Sequence, residues 1–259
     1  MPVLLMTVWL TGCVQEELGS PPSPTGNGIR FTLTVPDVNL PSVSSRTMTG
    51  TGTAKKEDEI ETVDILVFDM SKTPAVYLEC VSATGVTQDL ADNSTVSFSA
   101  VLSPTTASTC IVVVANKELD NIVPGFIKGT TTKVEAMEKM LHAQTGKWLA
   151  DGSTTDGYTR IPMYGEKVIS KITPSMDPIT GINMKRMLAR IDIRNNSATS
   201  NFTVEEVYLA NYNTTGYIAP AWNTNGQVIA PAPDTPVLPV NSGKMTEEGD
   251  AILYSVNGN

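Results

Sequence analysis

Ile29-Arg30-Phe31-Thr32-Leu33-Thr34-Val35 alternates apolar and polar side chains without a break. Successive residues of a strand point to opposite faces. Ile29, Phe31, Leu33 and Val35 therefore share one side, and Arg30, Thr32 and Thr34 share the other, the pattern of a strand half-buried on a core. Outward from it, residues 63–68, 75–81, 95–102 and 109–115 read as four more strands, rich in Val and Ile and separated by Gly, Asn, Asp or Pro. Residues 188–193 and 204–210 are predicted as a later pair and 251–256 as a last strand. One stretch, 131–144, has helical spacing, with Val134, Met137 and Leu141 as its apolar face, Thr132 and Glu135 as a capping box and Gly146 as its stop. Many strands with one inserted helix predict a mainly β fold: a β-sandwich with a helical crossover. Residues 146–185 read as a loop-rich excursion, and a second β-module begins near Arg190.

The N-terminus has a different character. Leu10-Thr11-Gly12-Cys13 closes a short apolar stretch and resembles a bacterial lipobox, in which a peptidase cuts before a cysteine that carries diacylglycerol. Residues 1–12 are then a signal peptide, although no Lys or Arg precedes the apolar stretch. Residues 13–28, with Glu16-Glu17 and a Ser/Pro/Gly run, are a lipidated flexible tether. The alternative is a buried strand with a chance cysteine, which a Pro/Gly tether directly after it disfavours. Residues 29–185 are expected to form the N-terminal domain and 186–259 the start of a C-terminal β-sandwich. Only one further strand is predicted after the Pro-, Asn- and Gly-rich residues 220–250, so the second module is expected to be truncated.

Net charge is −9 over 259 residues. Binding to nucleic acid phosphates needs clustered Lys and Arg, so no nucleic acid partner is expected. Of the three cysteines, the lipobox consumes Cys13. Cys80 and Cys110 lie in strand-like segments of an exported chain and are candidates for a disulfide, with burial as small apolar side chains the alternative. No metal or cofactor is expected: Cys-x-x-Cys is absent, and 151–157 lacks the alternating acids and bidentate Glu of a calcium loop. The single histidine, His142, ends the predicted helix and has no nucleophile motif to serve, which argues against an enzyme. Glu57-Asp58-Glu59 beside Lys55-Lys56 reads as a solvated, self-neutralising loop. Trp148, Tyr212, Tyr217 and Trp222 could line a sugar-binding face, so a surface glycan-binding lipoprotein is the alternative function.

Four pieces together resemble the fimbrillin family of Bacteroidetes, subunits and accessory proteins of type V pili related to the FimA and Mfa1 fimbrial proteins. They are the lipobox at Cys13 with its acidic Glu16-Glu17; the strand 29–35 followed by a loop holding Ser44-Ser45-Arg46-Thr47; the strands ending Val67-Phe68-Asp69 and Val114-Ala115-Asn116; and the turn Pro162-Met163-Tyr164-Gly165 leading to Ala189-Arg190-Ile191-Asp192. The resemblance implies two transthyretin-like β-sandwich domains and assembly by donor-strand exchange. An arginine-specific protease would cut between Arg46 and Thr47, the segment carrying Ile29, Phe31, Leu33 and Val35 would leave, and another subunit's strand would fill the groove. It further implies an outer-membrane lipoprotein at the cell surface, in a fimbrium that supports adhesion. Other fimbrial subunits would be its partners, and a host glycan or protein its receptor.

Overall fold

The computed structural model describes residues 28–35, 58–89, 95–143, 160–187, 215–222 and 228–230. The strands expected at 188–193, 204–210 and 251–256 lie outside the described residues. Among the described residues the strands, in chain order, are β1 (Ile29–Thr34), β2 (Val63–Asp69), β3 (Val76–Ser82), β4 (Thr84–Gln88), β5 (Thr95–Ala100), β6 (Thr109–Ala115), β7 (Leu141–Ala143), β8 (Met163–Ile169), β9 (Ile179–Asn183), β10 (Lys185–Arg186), β11 (Thr215–Tyr217), β12 (Ala221–Trp222) and β13 (Val228–Ala230), with one α-helix, α1 (Lys133–Lys139), and a 3-10 turn at Val123–Gly125. Of the two large sheets, one has four strands in the order β4-β5-β1-β9 and the other five in the order β10-β8-β6-β2-β3, and β7 with β11 and β12 with β13 form two-stranded ladders. The expected mainly β, two-sheet sandwich is therefore observed.

Alternation explains the thinner sheet. Ile29, Phe31 and Leu33 of β1, with Val96 and Phe98 of β5, point inward against Ile65, Val67, Ile111 and Val113 of the facing sheet. The five-stranded sheet is different, because its second face is also covered. Leu66 and Phe68 of β2 and Cys110, Val112 and Val114 of β6 pack beneath Leu119, Phe126, Ala136, Met140, Ile218 and Ala219. Every residue of β6 is buried for this reason, and a strand buried on both faces reads as an unbroken apolar run.

α1 begins as expected. Thr132 caps it and Glu135 answers in a capping box, accepting from the Thr132 N–H at 2.8 Å. It ends earlier than its apolar spacing suggests. Ala136 and Met140 (i, i+4) are the buried positions, whereas Val134 is 61% exposed. Met140 leaves helical geometry, and the next residues form β7, which pairs with β11. His142 thus sits in a strand opposite Gly216 and not at a helix terminus.

The excursion expected at 146–185 contains structural strands. β8 pairs along the whole of β6, and β9 runs parallel to β1. Gly165 interrupts the apolar pattern of β8, and Gly181 that of β9, which hid both strands from periodicity. The outer edge of β3 is closed along its first half by main chain: Tyr77 N–H donates to Thr131 O, Gly129 N–H to Tyr77 O and Lys133 N–H to Ala75 O, each at 2.8 Å.

Candidate functional site

The most distinctive feature of the sandwich is the position of its first strand. β1 is interior to its sheet, antiparallel to β5 on one side and parallel to β9 on the other. Its register with β5 is continuous from Ile29↔Ala100 to Thr34↔Thr95. The Phe31 ring stacks on Phe98, with centroids 5.0 Å apart and planes 7° apart. On the β9 side the register slips between Phe31↔Ile179 and Leu33↔Ile182, a bulge in which Gly181 takes a φ of 72°. That left-handed conformation suits glycine. Met184 N–H donates to Thr34 O at 2.8 Å and closes this side. Without β1, the sheet would hold a slot walled by β5 and β9 and floored by the apolar side chains of the facing sheet.

Both chain ends of the β1–β2 connection, Val35 and Asp58, flank residues 36–57, and the incoming segment 58–61 is fastened from several directions. The Asn116 carboxamide donates to Glu59 O at 2.8 Å and to Ile161 O at 2.9 Å, and accepts from Glu61 N–H at 3.0 Å. Asn116 sits at the end of β6 with φ 58°, a conformation that Asn tolerates better than most residues. The Gln88 side chain, at the end of β4, accepts from Ile60 N–H at 3.1 Å and donates to Asp58 O at 2.8 Å. Arg160 pairs with Glu59 and Glu61 at 3.2 and 2.6 Å, and Arg186 pairs with Asp58. Of the acidic run read as a solvated loop, Lys55, Lys56 and Glu57 lie outside the described residues, and Asp58 and Glu59 are held by arginines about a hundred residues or more away in sequence. No local pattern could have disclosed those partners.

Gly165 supports the β9 wall. A Cβ built there would stand 2.9 Å from Asn183 O, Ile182 Cγ2 and Met184 Sδ. β8 and the β9–β10 turn approach one another only because that position lacks a side chain. The Lys167 ammonium also donates to Thr180 O across the same gap.

Of the residues singled out from sequence, Cys13, Arg46 and Thr47 lie outside the described residues, as do Trp148, Tyr212 and Arg190. Tyr217 is half-buried in β11, opposite Leu141. The candidate disulfide does not form: both thiols are free. Cys80 lies opposite Leu66 and Cys110 opposite Phe68, on strands either side of β2. Two strand spacings separate them by about 9.5 Å, beyond the roughly 7 Å that a bridge spans. Burial pushes the Cys80 thiol up to about 12 and raises Cys110 as well. Lys133 lies close enough to Cys110 to oppose that rise, but its ammonium is engaged by Glu166 at 2.5 Å. Both shifts disfavour the thiolate, the form in which a cysteine attacks. Among the described residues no group of three or more His, Cys, Asp or Glu is placed to hold a metal ion. No helix among them is long and apolar enough to cross a membrane.

A two-sheet sandwich that seats its first strand in the middle of a sheet places the chain among mainly β proteins. The family model described as fimbrillin-A associated anchor proteins Mfa1 and Mfa2 matches residues 24–255, and the chain belongs to that family. Among solved structures it is similar to a fimbrial assembly protein of Parabacteroides distasonis, with 14% identity, 79% of this chain and 72% of that one covered, and a TM-score of 0.41. It is also similar to a candidate cell adhesion protein of the same organism, with 19% identity, 88% and 68% covered, and a TM-score of 0.49. No curated protein matches the chain.

Proposed function

We propose that this chain is a structural or accessory subunit of a cell-surface type V fimbria, exported as a lipoprotein on Cys13 and assembled by donor-strand exchange. Cleavage between Arg46 and Thr47 by an arginine-specific protease would free the segment carrying β1, and a strand from another subunit would take its place. The outer membrane, through the lipid, and a host glycan or protein receptor complete its surroundings.

The observation that carries this reading is the seating of β1. Its inward residues Ile29, Phe31, Leu33 and Val35 are each no more than 5% exposed. At about 1.5–3 kcal/mol per buried side chain, they contribute roughly 6–12 kcal/mol. That is of the order of a domain's whole stability, about 5–15 kcal/mol. A slot that loses them binds any strand of matching alternation strongly, through main-chain hydrogen bonds and apolar pockets. The acidic side chains that follow the cut loop are held by Arg160 and Arg186, so departure of β1 need not draw β2 with it.

Limited digestion of the full-length protein with an arginine-specific protease, read by mass spectrometry and native gels, tests the proposal. A single early cut after Arg46, followed by oligomers once a donor subunit is added, is the expected result. A protein that resists cutting in residues 36–57, or that is cut and never accepts a strand, removes the exchange mechanism.

A further inference from the structure

The slot has two walls, and each must stand while β1 is absent. The β9 wall is held by the close approach at Gly165 and by Lys167 on Thr180 O. The other wall is the hairpin formed by β4 and β5. At the end of the hairpin where β4 begins and β5 finishes, it is tied to the facing sheet by Ala83 N–H on Val63 O at 2.8 Å and by Ser103 on the Glu79 carboxylate at 2.7 and 2.6 Å. At its tip, where β4 ends and β5 starts, the Gln88 carboxamide fastens it to the main chain of Asp58 and Ile60. The segment 58–61 is in turn anchored to the five-stranded sheet by Asn116.

While β1 is present, its full ladder with β5 and the Phe31–Phe98 stack hold the hairpin as well. Once β1 leaves, those contacts go, and the Gln88 bonds, which do not involve β1, stay. We propose that Gln88 is a positioning residue for strand capture, pinning the tip of the β4–β5 hairpin to the Asp58–Ile60 backbone so that the emptied slot keeps the width of one strand. The proposal rests on the strand-exchange reading given above. It places a determinant of acceptor competence on a side chain whose bonds to Asp58 O and Ile60 N–H lie outside the β1 ladder.

The chemistry favours glutamine here. One side chain must give a donor to Asp58 O and an acceptor to Ile60 N–H at once, and a carboxamide offers both. A preorganised slot spares an incoming strand the cost of ordering the wall, which shows as affinity.

The test uses the full-length chain nicked after Arg46 and a fluorescein-labelled peptide with the sequence of residues 28–36. Anisotropy gives the peptide's affinity and association rate, and thermal melting is recorded on the intact protein. Gln88→Ala is compared with Gln88→Glu, which keeps the acceptor and loses the donor. Ser108→Ala is the control, since the Ser108 hydroxyl bonds Ile169 O at the β6–β8 edge, away from the β4–β5 hairpin. Loss of both bonds is expected to weaken peptide capture by about tenfold, with Gln88→Glu intermediate and Ser108→Ala unchanged. The melting temperature of intact Gln88→Ala is expected to stay within a few degrees of wild type. Wild-type capture by nicked Gln88→Ala overturns the proposal. So does a loss of stability in the intact variant large enough to account for the whole loss of capture. If no chain is nicked after Arg46, the protease step fails instead, and the same comparison is made with a protease site inserted into residues 47–52. If nicked wild type then captures no peptide, strand exchange itself fails, and the role of Gln88 with it.

Discussion

Replacing Asn116 isolates the contribution of one side chain to the fastening of the slot's rim. The carboxamide makes three hydrogen bonds, to Glu59 O, Ile161 O and Glu61 N–H. Each is worth about 1 kcal/mol net, the exposed one somewhat less. Alanine loses all three, so about 2–3 kcal/mol goes with the bonds. It must also hold the φ of 58°, which adds roughly 1 kcal/mol for a residue with a Cβ. Asn116→Ala is thus expected to cost about 3–4 kcal/mol. Asn116→Gly loses the same bonds but adopts the backbone freely, and is expected to cost about 1 kcal/mol less. Asn116→Asp keeps the acceptor but turns a carboxylate oxygen toward two carbonyls, and should be at least as damaging as alanine. Urea unfolding at constant m resolves these differences: 3 kcal/mol moves the midpoint by about 1.5 M for an m near 2 kcal/mol/M. A midpoint for Asn116→Ala within about 0.3 M of wild type, or a glycine variant less stable than the alanine one, would refute the reasoning.

Gly165→Ala forces a methyl group against a main-chain carbonyl and two side chains at 2.9 Å. A cost of about 1–3 kcal/mol and a melting temperature several degrees lower are expected, and an unchanged calorimetric transition would contradict that. Alkaline pH should weaken the fold. Burial raises Cys80 from 9.0 and Tyr77 from 10.0, each to about 12, and raises Cys110 and Tyr164 too. The folded protein keeps protons that the unfolded chain releases above pH 9–10. Stability is therefore full below that range and falls toward pH 12, by about 1.4 kcal/mol per pH unit for each retained proton. Urea midpoints that stay level between pH 8 and 10.5 would sink this account. Cys110 should be silent to a thiol reagent at pH 8 until the protein unfolds, and fast labelling of that residue in the native state would argue against its burial.

Legibility in the sequence followed the number of covered faces. β1 was readable because one face is buried and its pattern has period two. β6 was readable because both faces are buried and its run is continuous. β8 and β9 were hidden because close packing at Gly165 and a left-handed bulge at Gly181 put glycine where a patterned side chain was expected. The helix was placed correctly by its cap, a local hydrogen-bond motif. Its length and buried side were misjudged, because Met140 is claimed by tertiary packing that spacing alone does not encode. The site divides in the same way. The strand that plugs the slot is local in sequence and was seen. The rim is built from Gln88, Asn116, Arg160 and Arg186, brought together from across the chain, and only Asn116 left a trace, as the polar residue ending an apolar run.

The sealed first half of β3 has a further consequence. Any protein that offers unpaired main chain to its own kind also risks pairing at the wrong place, since every open sheet edge is a template for another strand. Here the Thr131, Gly129 and Lys133 backbone already occupies the groups at Ala75 and Tyr77 that a stray neighbour would use. If subunits join by strand exchange as proposed, this cover would help to keep polymer growth apart from aggregation: a lengthening chain of subunits stays linear and ordered only where its building block is sociable at one place and less receptive at another.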